Sequence, residues 1–299
     1  MGHAELLTAS IPSIPGIRPR DEELDLFGLT HPGKVRRENQ DHFLLSTVHP
    51  QVVIHGTNLP DPSRLPLRGQ RLATIMLVAD GVGGSSAGRE ASQLAVETIS
   101  RYTASTIRCY HTAGARGEEE LLEALRAAAL EDHAAVLAEA AARPEVQGMA
   151  TTLTLAVAVW PWVYVVQVGD SRCYHYQDGV LRQVTRDQTV AQDLVDRGLL
   201  PADRISHSPL SHVLASAIGG GEAVPVVSRL DIQRIGCVLL LCSDGLTKHV
   251  ADEEIADVLR AMTSSEQACH RLLEMALDRG GSDNITVVCG RARRRDAAG

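Results

Sequence analysis

Apolar and polar positions change period several times along this chain, and each change marks an element. From Ala87 to Tyr102 the apolar residues Ala91, Leu94, Ala95 and Ile99 recur at three- and four-residue spacing, which predicts a helix. The alanine-rich run Glu118 to Ala142 predicts a second one, stopped by Pro144. The period then falls to two. TTLTLAVAV (151–159), WVYVVQV (162–168) and the stretch Tyr174 to Val184, broken at Asp178-Gly179, predict an antiparallel meander of strands. Beyond it lie a helical piece near Thr189 to Arg197, an apolar strand CVLLLC (237–242), helices over about 252–262 and 265–279, and a last strand ITVVC (285–289). Strands and helices are grouped rather than alternating, so the class expected is α+β and not a doubly wound parallel sheet.

The segments without a period divide the chain. IPSIPGIRPR near the start holds three prolines, so residues 1–20 are expected to form a flexible arm, with the fold beginning near Leu24. A single domain is expected over residues 21–291, followed by a basic tail at 292–299 that ends the run RARRR (291–295), read as solvated. The irregular stretch from about His49 to Gln70 is too long for a tight turn and reads as a surface insertion.

Composition narrows the chemistry. A net charge of −8 opposes an extended phosphate-backbone footprint, so nucleic acid is not an expected partner. No apolar run reaches the ~18 residues of a membrane span, and the start lacks a signal-peptide layout; no membrane partner and a cytoplasmic location are expected. Six cysteines without a CxxC pair, and twelve histidines without HxH or HxxxH spacing, leave oxygen as the expected ligand for any metal.

One motif repeats in kind. MLVADGVGG (76–84) sets Asp80 at the end of an apolar strand, LLLCSDGL sets Asp244 just past another, and GGSDNITVV sets Asp283 just before a third. Any one of these is ordinary turn or helix-cap chemistry. Three at strand mouths on one side of a fold would repel one another unless a cation compensated them, and carboxylate oxygens select Mg2+ or Mn2+.

Read in order, GLTHPGKVRRENQD (28–41), VADGVGG (78–84), GMATTLTLAV (148–157), VGDSRCY (168–174), CSDGLT (242–247) and GGSDNITVV (280–288) resemble the metal-dependent type 2C serine/threonine protein phosphatases, the PPM family, and most of all its compact bacterial members. The match runs from about residue 24 to 290 and makes residues 21–291 the catalytic domain. The resemblance implies a four-layer α/β/β/α sandwich of two antiparallel β-sheets flanked by helices, with a site for two Mn2+ or Mg2+ ions, and in some relatives a third, at one edge. It implies that Asp80 bridges the ions, that the Gly81 carbonyl touches the second, that Asp244 and Asp283 hold the first, and that Asp41 supports the metal shell. Arg36 matches the phosphate-binding arginine, whose planar fork grips two oxygens at once.

The implied activity is hydrolysis of phosphoserine and phosphothreonine in protein substrates, by a water activated between the ions, opposing a serine/threonine kinase. A non-catalytic metal-binding sensor or interaction module on the same fold is the alternative. Three departures stand out: Gln40 where some members have Glu, Val82 where animal members have a histidine acid, and Glu145-Val146-Gln147 where a third-ion ligand would lie. Asp170 and Arg172 of VGDSR are expected to pair with each other, and Arg186 to His212 to shape peptide access as a flap.

Overall fold

Along strand β3, Ala73–Val82, side chains alternate between two cores. Ile75, Leu77 and Ala79 point outward to the helices, while Met76 and Val78 point into a layer shared with a second sheet. The computed structural model that shows this describes residues 18–293, apart from 52, 56, 62–64, 66, 84–85, 113–117 and 235.

The other strands are β1 Leu24–His31, β2 Asp41–Val48, β4 Ala150–Thr151, β5 Leu153–Val159, β6 Trp162–Val168, β7 Arg172–Gln177, β8 Val180–Gln183, β9 Val226–Asp231, β10 Val238–Cys242 and β11 Ile285–Ala292. The helices are α1 Ser86–Thr112, α2 Glu118–Ala142, α3 Val190–Asp196, α4 Asp244–Thr247, α5 Asp252–Ala261 and α6 Ser265–Asp278. One sheet has the order β1-β11-β10-β7-β8; the other runs β2-β3-β5-β6-β9, with β4 continuing along the end of β3, and every pairing is antiparallel.

Helices α1 and α2 cover the outer face of the β3 sheet, through Ala91, Ala95, Ile99, Leu121, Leu125 and Val136. Helices α5 and α6 cover the other sheet, through Ile255, Leu259, Ala268 and Leu272. Between the sheets, Met76, Val78, Val163, Val165, Leu239, Leu241 and Val288 form the central layer. Burying each aliphatic chain of this size stabilises the fold by about 1.5–3 kcal/mol before entropy is counted. The α+β sandwich expected from the resemblance is thus the architecture observed.

Several boundaries differ from the sequence reading. Helix α1 continues past Tyr102 to Thr112 because Thr103 and Ile107 prolong its buried stripe. Strands β1, β2 and β9 had no predicted counterpart. Strand β11 runs on through Ala292, and Arg291 and Arg293 both pair with Asp25, at 2.9 and 3.2 Å, so the start of the basic run is docked on the sheet edge rather than solvated. The expected arm lies outside the described residues except for 18–20, as does the tail from residue 294. All six cysteines are free thiols.

Candidate metal centre

Strand alternation places the first two carboxylates. On β3 the inward set Met76, Val78 is continued by Asp80, and on β2 the inward set Phe43, Leu45 begins at Asp41. Asp41 and Asp80 are direct partners in the ladder, so two acids share one mouth between the sheets. The Asp80 backbone is clamped: its N–H donates to Thr152 Oγ1 at 3.0 Å, and its carbonyl accepts from Thr152 N–H and Thr151 Oγ1, each at 2.9 Å. Gly81 follows where no side chain fits, since a Cβ would run into the Gly88 carbonyl and lie 2.7 Å from the Gln40 carbonyl oxygen.

The opposite sheet delivers the rest. Strand β10 ends at Cys242, and Ser243 leads into the single turn of α4, which begins at Asp244. Asp283 precedes β11. Asn284 beside it fixes the loop that carries Arg36: its side chain donates to the Pro32 and Glu38 carbonyls at 3.0 and 2.9 Å and accepts from Gln40 N–H at 2.9 Å. Ser243 and Thr286 reach across the interlayer to Asp41 Oδ2, both at 2.7 Å.

The electrostatics are those of an acidic pocket short of cations. Burial, then Asp41, Asp244, Asp170 and Asp283, push the Asp80 carboxyl well above the usual range. Burial, with Asp244 and Asp283, raises Asp41 to about 6, against the pull of Ser243 and Thr286. Burial, Asp244 and Asp187 raise Asp170 to about 8. Two buried carboxylate oxygens, Asp41 Oδ1 and Asp244 Oδ1, have no hydrogen-bond partner. Orphaned anionic oxygens are costly in a buried site, and an all-oxygen donor set suits a hard divalent ion. The residues present therefore fit Mg2+ or Mn2+. Among the described residues, however, no three acidic, histidine or cysteine side chains already enclose one centre. Lys248 stands between Asp244 Oδ2 and Asp283 Oδ2, with Nζ at 2.6 and 2.7 Å.

Arg36 lies at the rim. Its fork grips Asp283, with Nε 2.7 Å from Oδ1 and an Nη 2.9 Å from Oδ2, and the guanidinium is more than half exposed. It faces an open cleft of about 600 Å³ that Asp170, Asp244 and Asp283 line from below and Thr189, Gln192, Ile205, Ser211 and His212 line from the side. The latter residues belong to the segment expected to act as a flap. It contains α3, capped by Thr189, whose Oγ1 accepts from Gln192 N–H.

One expectation is corrected. Asp170 and Arg172 do not pair; Arg172 instead grips Asp187 bidentately, with bonds of 2.7–3.1 Å, and donates to the Tyr174 hydroxyl at 2.9 Å. Asp170 lies just before β7, while Arg172 at its first position is taken by Asp187 fifteen residues on, so closeness in sequence misled. This frees Asp170 to face the acidic mouth. Glu145, near the expected third-ion position, is bound to Arg143 at 2.9 Å. The roles of Ser243, Thr286, Asn284 and Lys248 were not anticipated. Ser243 and Asn284 stand beside motif aspartates and Thr286 lies three residues past Asp283, a signal available in the sequence, whereas Lys248 carries no such mark.

Comparison with known proteins gives consistent results. The family model of protein phosphatase 2C matches residues 65–279. The serine/threonine protein phosphatase PstP of Mycobacterium tuberculosis is 37% identical over 216 residues, 72% of this chain. This chain spans only 40% of that relative's length. The serine/threonine phosphatase stp of Listeria welshimeri is 34% identical over 72% of this chain and 82% of its own. The crystal structure of the PstP catalytic domain in complex with two manganese ions is similar with a TM-score of 0.68 and 30% identity, over 91% of this chain and 99% of that one.

Proposed function

We propose, from the premise that this chain belongs to the protein phosphatase 2C family, that it is a Mn2+- or Mg2+-dependent phosphatase of phosphoserine and phosphothreonine in proteins. The observation that carries the reading is the meeting of Asp41, Asp80, Asp244 and Asp283 at one mouth, with two of their buried oxygens unpartnered. The similar PstP domain structure with two manganese ions supports the choice of ion.

In this reading Asp80, Asp244, Asp283 and the Gly81 carbonyl hold the ions. Bound there, the ions supply Lewis acidity toward a phosphoryl oxygen and a water acidified towards neutral pKa, the kind of help a slow phosphate ester needs. Asp41 is a positioning residue: Ser243 and Thr286 fix one of its oxygens and leave the other buried without a partner. Arg36 is the group for a phosphate dianion. Its exposed guanidinium stands at the cleft entrance, and its partner Asp283 keeps the fork oriented. Val82, exposed at the strand end, offers no proton to the leaving alkoxide, so this chain brings no side-chain acid at that position. Thr189, Gln192 and His212 are placed to meet the peptide around the phosphorylated residue. The cellular counterpart is a serine/threonine kinase whose products carry such phosphates. No helix among the described residues is long and apolar enough to cross a membrane.

The test is hydrolysis of p-nitrophenyl phosphate and of a phosphothreonine peptide, with and without Mn2+, by the wild type, Asp80→Asn and Asp244→Asn. Hydrolysis that needs Mn2+ and disappears in both variants is expected. Turnover that survives without metal in both would sink the assignment, and Mn2+ binding without hydrolysis of either substrate would favour a sensor on this fold.

A further inference from the structure

Lys248 follows Asp244 by four residues, one helical turn, and its own N–H closes α4 on the Asp244 carbonyl at 2.8 Å. An exposed pair at this spacing is commonplace and contributes little. This one differs in three respects. The side chain is only about one-fifth exposed. It touches carboxylates from two separate segments, Asp244 Oδ2 at 2.6 Å and Asp283 Oδ2 at 2.7 Å. And these are two of the carboxylates assigned above to the first ion; Arg36 shares Asp283 Oδ2 with it at 2.9 Å but does not reach Asp244, whose ion pair is with Lys248.

We propose that Lys248 is a tethered counter-ion: it holds Asp244 and Asp283 together when no divalent ion is bound, and it competes with that ion for the same two carboxylates. The inference rests on the proposed reading of Asp244 and Asp283 as metal ligands. A monocation and a divalent cation cannot both sit against the same pair of oxygens, so loading the site requires the ammonium to leave. The four-carbon stem allows that. Lys248 already lines the open cleft beside Thr247 and His249, where a displaced ammonium regains water.

The two states therefore respond to loss of the ammonium with opposite signs. Without metal, removing it leaves Asp244 without its ion-pair partner beside Asp283, which keeps only Arg36, and the protein loses stability. With metal, removing it abolishes a competitor, and binding tightens. A residue that merely supported the fold would weaken both.

Mn2+ titration calorimetry and thermal unfolding, with and without Mn2+, of the wild type, Lys248→Met, Lys248→Gln and Lys248→Arg test this. Met keeps the stem without the charge, and Gln serves if Met impairs folding. Met or Gln is expected to bind Mn2+ about tenfold more tightly, a difference of about 1.4 kcal/mol, to melt earlier than the wild type without metal, and to gain more from Mn2+. Arg is expected to stay close to the wild type. Equal or weaker Mn2+ binding by Met and Gln would overturn the proposal. If Asp80→Asn abolishes binding while Lys248→Met leaves it unchanged, only the counter-ion role falls. If not even the wild type binds Mn2+, the metal-dependent function falls with it.

Discussion

Asp41 and Asp80 face each other as direct partners across the β2–β3 ladder, two carboxylates at a position where like charges destabilise a sheet. Asp41 is made tolerable by donors from the other sheet, the hydroxyls of Ser243 and Thr286. Replacing Ser243 by Ala should cost about 1–3 kcal/mol of stability, since it strips a buried carboxylate of one donor and leaves Thr286 N–H without its acceptor. Urea unfolding of the metal-free protein measures this. Asp41→Asn, which removes the repulsion, should lose much less in the same experiment.

Gly81→Ala should be among the most damaging small substitutions in the chain. Its Cβ would meet the carbonyls of Gly88 and Gln40, which are backbone and cannot swing aside. Overpacking of this kind costs about 1–3 kcal/mol or more. A lowered melting temperature together with weakened Mn2+ binding is the expected pair of results, and an unchanged melting curve would refute the steric argument.

Asp132 lies fully buried in α2 with neither carboxylate oxygen partnered, and burial raises its carboxyl to about 8. The native state thus binds a proton that the unfolded chain releases near pH 4. Its contribution to stability is complete below that value and is lost as pH rises through about 8. Stability should fall across this window in the wild type. Asp132→Asn should flatten the fall and be the more stable protein at the alkaline end, which chemical denaturation at a series of pH values will decide.

The bidentate bond from Arg172 to Asp187 anchors the segment leading into α3 to the edge of β7. Asp187→Asn should loosen that segment, raising KM for a phosphothreonine peptide by about tenfold, the equivalent of ~1.4 kcal/mol, while p-nitrophenyl phosphate hydrolysis changes much less. Equal effects on both substrates would show that the segment does not contact the peptide.

The periodic parts of the fold were readable from the chain because regular burial imposes a regular pattern. The buried stripe of α2, from Leu121 to Val136, lies inside the alanine-rich run, and the apolar residues of β5 and β6 report two covered faces. Strand β9 was not readable: VVSRLD is short, half-exposed and at a sheet edge, so no strong pattern is imposed on it. At the site, Asp80, Asp244 and Asp283 were legible as strand-mouth acids, but their meeting was legible only through a family likeness, since β3, β10 and β11 bring them from distant parts of the chain. Asp170 and Lys248 were hidden for the same reason. Their partners are set by tertiary geometry, and the nearest opposite charge in sequence was the wrong one for Asp170 and only half the answer for Lys248.

The two leaves of the sandwich each own part of the acidic mouth: Asp41 and Asp80 ride on one, Ser243, Asp244 and Asp283 on the other. A slip of one leaf over its neighbour would shear the carboxylates apart before any strand came undone. The filling that resists such a slip lies behind the acids, in Val78, Leu241 and Val288. The proposed grip on metal ions is therefore set by the tightness of the middle as much as by the acids at the lip.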